Sequence, residues 1–330
     1  MIDAASVAHR TLRYLTAPAV VGFEEPFVDL LHDELATLGR RVERHPSLLV
    51  AVGGPAVISV HIDRHGFVPR EQGRLGHAAS ALAGRLPAPS LAAAICRRSV
   101  GEIVYAYDSA PGDSLAEATI SHSDHCGRGA GLDVVAHEFT DVAPGTPVAF
   151  KSAGTMTGGW LRGQIDNTIC VALAMELIEH GFDATVIFTL GEEAGRSWRA
   201  LASWFGEPTS RLIVLDTSPF DNPEPATSGV VVLRGADAGA TFDMNATGRL
   251  AEAADGAGVR VVWKDRYLAD AGRSLGRTEL GRVVAETGGR VTGSTLQVPT
   301  TDYHTNHEAT TLTAIQSVAE VLTRSADSPD

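Results

Sequence analysis

The sequence has little that would indicate secretion, membrane insertion or a disulfide framework. Its three cysteines, Cys96, Cys126 and Cys170, are too few for a disulfide scaffold, so we expect free thiols in a reducing cytoplasm. No apolar run approaches the roughly 20 residues that span a bilayer. Residues 1–10 lack the charged start and apolar run of a signal peptide. These absences predict a soluble, cytoplasmic protein.

Positive charge is also scarce, with 27 Lys and Arg against 40 Asp and Glu and a formal net charge of −13. This balance argues against nucleic acid or an anionic membrane surface as the partner, because both favour basic proteins. The sequence contains no G-x-S-x-G nucleophile elbow, no G-x-x-x-x-G-K-[ST] phosphate loop and no H-E-x-x-H helix. Serine hydrolases, nucleotide enzymes and single-zinc proteases are therefore disfavoured.

The composition is that of an ordinary globular protein, with 44% hydrophobic and 20% charged residues over 330 positions. Helical and strand-like patterns alternate in residues 1–66 and 158–330, which predicts one discontinuous α/β domain. Residues 67–157 are instead rich in Ala, Gly, Ser and Pro, with short strand-like runs between turn signals. We expect this segment to form an inserted, smaller β-rich domain.

Hydrophobic periodicity places the main elements of the larger domain. The predicted helices are Ala4–Thr16, Pro26–Leu38, Thr168–His180, Arg196–Phe205, Ser274–Thr287 and Thr311–Arg324, with one further helix, Ser90–Val100, in the insert. The predicted strands are Ser47–Val52, Ala56–Val60, Val186–Leu190, Arg211–Leu215, Gly229–Arg234, Val259–Lys264 and the short extended piece Gln297–Thr300. The turn Gly53-Gly54-Pro55 is expected to separate the first two strands.

Two adjacent carboxylates, Glu192 and Glu193, directly follow a buried strand in the stretch T-V-I-F-T-L-G-E-E-A-G. Side-by-side carboxylates repel each other unless a positive charge lies nearby. A metal ligand beside a general base would meet that requirement at a strand end, where α/β proteins bind ligands. Two solvated glutamates at the start of a helix are the alternative, and this stretch alone does not separate the two interpretations.

Three predicted strands end in potential metal ligands, namely His61, the Glu192/Glu193 pair and Asp216. Neighbouring strands in one sheet would bring those ends together. Asp63 lies two residues after His61 on an extended chain and can therefore receive the imidazole N–H and hold the ring.

Asp166, before a buried helix, and His304, in a polar loop, can complete the set. Imidazole and carboxylate donors suit zinc, or a similar ion such as cobalt or manganese. Two ions bridged by Asp166 would lie roughly 3.5–4 Å apart, would lower the pKa of a bridging water and would polarise a carbonyl.

Each candidate also has an ordinary structural interpretation. Asp166 could be an N-cap and Asp216 a turn residue before Pro219, and His307 competes with His304. His65, next to Arg64, could contact substrate, although an exposed basic pair is favoured.

Two further features of the sequence are given structural roles. The stretch S-H-S-D-H-C, which contains His122, His125 and Cys126, is interpreted as a polar loop because no second cluster has zinc-module spacing. Trp198 and Trp204 are assigned to core packing.

Six motifs together resemble the co-catalytic zinc aminopeptidases of the tetrahedral aminopeptidase, glutamyl aminopeptidase and endoglucanase M type. A-P-A-V-V-G-F-E-E is similar to A-P-G-x-S-G-x-E, V-H-I-D-R-H-G-F-V to A-H-x-D-E-I-G-F/L, and R-G-Q-I-D-N more loosely to G-K-x-L-D-D/N. T-L-G-E-E-A-G is similar to T-x-Q-E-E-V-G, L-D-T to x-D-V-T, and P-T-T-D-Y-H-T-N-H-E to P-T-R-Y-I-H-S-P-x-E. The motifs occur in the same order along nearly the whole chain.

The resemblance implies a mixed sheet between helices, a lid-like insert and assembly into large homo-oligomers. It implies that His61 and Asp216 hold one divalent ion, that Glu193 and His304 hold a second, and that Asp166 bridges the two. It further implies Glu192 as general base and Asp63 as the residue that orients His61. The His304-to-Glu308 spacing matches the family and favours His304 over His307.

The sequence departs from the family at Arg64-His65, Thr168, Thr301-Asp302 and Arg277-Thr278-Glu279. These positions surround the expected site, so they concern substrate identity more than metal binding. The leading hypothesis is a zinc-dependent aminopeptidase acting on short peptides. The alternatives are a di-metal amidohydrolase or deacylase of a non-peptide or N-acyl amide, and a non-catalytic scaffold that has lost its metal.

Overall fold

A computed structural model describes residues 2–70, 73–84, 97–109, 112–124, 133–151 and 154–327. Its strands are β1 Arg41–His45, β2 Leu48–His61, β3 Phe67–Pro69, β4 Arg74–His77, β5 Ile103–Tyr107, β6 Ser114–Thr119, β7 His122–Asp124, β8 Asp133–Val135, β9 Val148–Phe150, β10 Thr155–Thr157, β11 Trp160–Gly163, β12 Ala184–Thr189, β13 Thr209–Pro219, β14 Val231–Leu233, β15 Val261–Trp263, β16 Val291–Thr300 and β17 Glu308–Thr311. Its α-helices are Ala4–Tyr14, Glu25–Thr37, Ala78–Ala83, Thr168–Glu179, Trp198–Trp204, Glu224–Thr227, Met244–Gly256, Lys264–Asp270, Glu279–Glu286 and Leu312–Asp327, and His137–Phe139 is a 3-10 helix.

The central sheet is mixed and runs β1-β2-β13-β16-β14-β15, with β12 also paired to β2. The long strand β2 pairs with both edges of β12. Thr189 of β12 pairs with Leu48, at the start of β2, and with His61, at its end. The prediction that a turn Gly53-Gly54-Pro55 separates two strands is wrong, because residues 53–55 belong to the continuous strand β2, which crosses the start of β12 there. A Cβ on Gly53 would lie 2.2 Å from the Ala184 carbonyl oxygen, so the crossing requires glycine.

Helices cover both faces of this sheet, which confirms the predicted α/β sandwich. The larger core layer packs the N-terminal, 168–179, 244–256 and C-terminal helices on one face, and the 198–204 and 279–286 helices form a second core with Trp198 and Trp204 at its margin. The helix Thr168–Glu179 is buried from residue 168 to 178, as its all-round apolar sequence predicts. It carries Cys170, a buried free thiol.

A second antiparallel sheet runs β6-β5-β9-β3-β4-β8-β7 and lies within the predicted insert. It has its own core, which includes Phe67, Leu75, Phe139 and Phe150. A small third sheet joins β10, β11 and β17, in which Glu308 of β17 pairs with Gly163 of β11. The domain division at residues 67 and 157 stays a prediction.

Several elements differ from the sequence-based expectations. The predicted helix Ser274–Thr287 is confined to Glu279–Glu286, and the extended piece Gln297–Thr300 belongs to the ten-residue strand Val291–Thr300. Buried polar residues hid that strand, and Gly293 permits it to approach β13, since a Cβ there would lie 1.8 Å from the Leu212 carbonyl oxygen.

The helix Met244–Gly256 was not predicted; its clearest signal is the N-cap Asp243, whose carboxylate accepts from the amides of Asn245 and Ala246. Most of the predicted helix Ser90–Val100 lies outside the described residues. Within the part of the chain that the structure describes, no helix is long and apolar enough to cross a membrane.

Candidate metal centre

Three side chains, here called the first group, lie close together: His61, Asp166 and Asp216. His61 ends β2 and Asp216 lies on β13, and these strands are in register because Ser59 pairs with Val214. The His61 Nε2 atom lies 3.4 Å from Asp166 Oδ1 and 3.6 Å from Asp216 Oδ1. The predicted strand Arg211–Leu215 continues to Pro219, so Asp216 lies within β13 rather than at its end. The structure nevertheless brings His61, Asp166 and Asp216 close together.

A second group lies beside the first and consists of His65, Glu193 and His304. Glu193 Oε2 lies 2.9 Å from His65 Nε2 and 3.6 Å from His304 Nε2. One donor atom from each of the three residues lies within 4.8 Å of the other two. Asp166 faces both groups, because its second oxygen, Oδ2, lies 3.9 Å from His304 Nε2.

The interpretation of Arg64-His65 as an exposed basic pair is wrong. Arg64 is 4% exposed and His65 8% exposed. The Arg64 guanidinium points inward and donates to the main-chain carbonyls of Leu15 and Ala17, at the end of the first helix. The spacing of His65 does indicate its position. Residues 61, 63 and 65 are two apart, so on an extended chain their side chains point to the same side.

Asp63 is fully buried and connects the two groups. Its carboxylate accepts from the main-chain amides of Glu192 at 3.0 Å and Glu193 at 2.9 Å. His61 Nδ1 lies 3.2 Å from the Asp63 main-chain oxygen and 3.7 Å from its carboxylate. Asp63 therefore does face His61, but the carbonyl is nearer than the carboxylate that we expected to hold the ring.

Glu308 has a matching arrangement on the other side of the site. Its buried carboxylate accepts from the amide of Asp166 at 2.8 Å and from the amide of His304 at 2.7 Å. His304 adopts a left-handed backbone conformation, with φ of 57°. His307, the competing candidate, has a side chain 68% exposed and lies 2.6 Å from Glu102. The structure thus brings His304, and not His307, to the site.

Negative charge accumulates around Glu192. Burial raises the pKa of the Glu192 carboxyl well above its ordinary value, and the charges of Glu193 and Asp216 raise it further, while His61 opposes the shift. Glu279, which accepts from Ser59 Oγ at 2.8 Å, adds a further carboxylate behind Glu192. Burial alone lowers the pKa of His61, but the carboxylates of Asp166 and Asp216 outweigh it and raise that pKa.

These residues fit a pair of divalent cations. Across the described ranges, Asp166 Oδ1 and both ring nitrogens of His304 are buried without a hydrogen-bond partner. Buried polar atoms normally have partners, and cations between the imidazoles and carboxylates would supply them. The mixed nitrogen and oxygen donors are those that zinc, cobalt and manganese accept in proteins.

The stretch around His122 was interpreted as a polar loop. His122 lies instead in β7, which pairs with β8, and its ring centroid lies 5.6 Å from that of His137. His125 and Cys126 lie outside the described residues.

Comparison with solved structures confirms the family resemblance at the level of the fold. An aminopeptidase from the archaeon Desulfurococcus kamchatkensis superposes with a TM-score of 0.74 at 14% identity, over 97% of this chain and 94% of that one. A TET peptidase of Pyrococcus horikoshii, described as assembling into a tetrahedron or an octahedral shell, gives 0.70 at 15% identity, over 97% and 98%. An endoglucanase of Thermotoga maritima gives 0.65 at 14% identity, over 96% and 98%.

No protein-family model matches the sequence, and no curated protein sequence matches it either. The similarity to the solved structures concerns the fold and extends over nearly the whole chain.

Proposed function

We propose that this protein is a metal-dependent aminopeptidase that hydrolyses the N-terminal amide bond of short peptides. The observation that carries the proposal is the position of Asp166, whose two carboxylate oxygens face two separate groups of imidazole and carboxylate donors. Glu192 belongs to neither group, but its carboxyl lies close enough to His61, Glu193 and Asp216 for their charges to shift its pKa. The similarity to aminopeptidase structures supports the same reaction class.

Each ion would have ligands of its own, and one residue would be shared by both. His61 and Asp216 would hold one ion, Glu193 and His304 the other, and Asp166 would bridge them. When bound, such ions lower the pKa of a water molecule and polarise the carbonyl that it attacks.

Glu192 would accept the water's proton and then transfer it to the leaving amine. Asp63 would hold the Glu192 main chain through its hydrogen bond to that amide. The net reaction consumes one water and yields a free amino acid and a shortened peptide.

We also propose that the protein forms a homo-oligomer, since the TET relatives of this fold assemble into large shells. We expect it to act in the cytoplasm without nucleic acid or membrane partners. Zinc is the expected ion, because its geometric tolerance suits both donor groups.

The test uses the purified protein as it exists. Dialysis against a chelator should abolish hydrolysis of aminoacyl-nitroanilides, and zinc, cobalt or manganese should restore it. Full activity in excess chelator would overturn the proposal. Turnover of N-acyl amino acids with no turnover of any aminoacyl compound would instead assign an amidohydrolase or deacylase to the same centre.

A further inference from the structure

The second group contains more donors than the proposed function requires. Its minimal ligands are Glu193, His304 and the shared Asp166, yet His65 Nε2 approaches Glu193 Oε2 to 2.9 Å, closer than His304 does at 3.6 Å. The His65 and His304 rings lie edge to face, with centroids 3.9 Å apart. Two imidazoles and a carboxylate oxygen therefore converge on one point.

A simple ion pair between His65 and Glu193 does not account for this arrangement. Such a pair would satisfy Glu193, but it would leave both buried ring nitrogens of His304 without a partner among the described residues. It would also place two imidazoles against each other in the interior, where a shared proton acceptor or a cation is needed to satisfy both.

The position of His65 is fixed by its surroundings. Gln164 Nε2 donates to the His65 main-chain oxygen at 2.8 Å, and the ring of His77 lies behind, with centroids 5.0 Å apart. Gly66 follows with no room for a side chain, since a Cβ would lie 2.7 Å from the Val148 carbonyl oxygen. The imidazole is thus held facing Glu193.

We propose that His65 is a ligand of the second ion, so that His65, Glu193, His304 and Asp166 complete a four-donor site. A first ion would have three protein donors, His61, Asp166 and Asp216, which would leave one position open. Zinc sites with four protein ligands are typically closed and structural, whereas catalytic sites have three ligands and an open position. The first group would therefore hold the ion with an open position, the one suited to activating a water molecule, and the four-donor site would bind its ion more tightly.

This inference rests on the proposed function only in requiring two bound ions, and its test does not depend on turnover. X-ray absorption of the fully zinc-loaded protein counts the imidazoles bound to zinc. Three imidazoles shared by two ions are expected, whereas the minimal ligand set has two. One imidazole per zinc in the wild-type protein would overturn the inference.

Variants give a second readout by competition with a chelator of known zinc affinity. His65→Gln should weaken one of the two zinc sites by more than the roughly 10–100-fold that an outer-shell partner costs, and should leave the other site unchanged. His307→Gln, at an exposed histidine bonded to Glu102, is the matched control and should bind both ions normally.

The outcomes separate the two proposals. If the wild-type protein binds fewer than two ions, the proposed function itself fails. If it binds two ions and hydrolyses aminoacyl substrates while His65→Gln keeps wild-type affinity at both sites, only the role of His65 fails. Should His65→Gln not fold, the imidazole count in the wild-type protein still decides the question.

Discussion

His61 and Asp216 project from paired strands, whereas His65, Glu193 and His304 project from the loops that follow strands. The register of β2 and β13 places the strand-borne residues side by side. The loop-borne residues are instead held through their main-chain amides by two buried carboxylates: Asp63 bonds Glu193, and Glu308 bonds His304. Where the sheet ends, buried hydrogen bonds take over its positioning role.

Asp166→Asn tests whether Asp166 serves both the strand-borne and the loop-borne ligands, and we expect the largest effect from this variant. An amide bridges two cations poorly because it lacks the negative charge, so both ions should be lost on desalting and turnover should become undetectable. Metal analysis of the desalted protein measures this, with the exposed Asp255→Asn as control. Retention of one ion at full affinity would show that Asp166 serves only one half.

Glu192→Gln separates proton transfer from ligation. General acid–base groups contribute about 10²–10⁴-fold, so kcat should fall by that factor while the zinc content stays at the wild-type value. Steady-state kinetics with parallel metal analysis tests this. Unchanged turnover would place the base elsewhere, and loss of zinc would make Glu192 a ligand.

Glu308→Gln tests the support of the loop-borne residue His304. The Gln side chain has only one acceptor oxygen for the two amides of Asp166 and His304. We therefore expect the affinity for the second ion to fall by about 10–100-fold. Asp63→Asn should lower the affinity for both ions, since Asp63 faces His61 as well as the Glu193 amide. Chelator competition measures each affinity; equal effects of Glu308→Gln on both ions would contradict the division into halves.

Lys264 gives the smallest effect and concerns the strand-borne half. Its ammonium donates to the carbonyl of Pro219, at the end of β13, and lies 3.5 Å from the Phe220 ring centroid. Burial, with Arg234 and Arg273 nearby, lowers the pKa of Lys264 to about 7, against the opposing effect of Asp221.

Because the folded pKa lies below the unfolded value of 10.5, the unfolded chain binds more protons between these values, and the free energy of unfolding should rise with pH. The expected gain from pH 7 to pH 9 is about 2 kcal/mol. Lys264→Met should abolish it in urea unfolding of chelator-treated protein. Lys151→Met, at an exposed lysine paired with Glu117, should keep it.

The strand-borne half could be predicted from the sequence because apolar, β-branched runs identify strands and therefore the residues that end them. His61, the Glu192/Glu193 pair and Asp216 are predicted in this way. Asp166, before a buried helix, and His304, in a polar loop, complete the set, and the family's spacing favours His304 over His307. His65 was assigned to the surface, since a basic residue next to Arg64 gives no indication of burial. The role of Glu308 was also missed, because its partners are main-chain amides, which no side-chain pattern reveals.

The tight packing at Gly66 has a practical consequence for dissecting the protein. His65 lies one residue before it, and Phe67, one residue after it, pairs with Val148 in the second sheet. The segment that joins the two sheets therefore also contributes a side chain, His65, to the metal centre. Removal of residues 67–157 would remove contacts that hold His65 in place. A chain without this segment would therefore not reproduce the geometry of the intact metal centre.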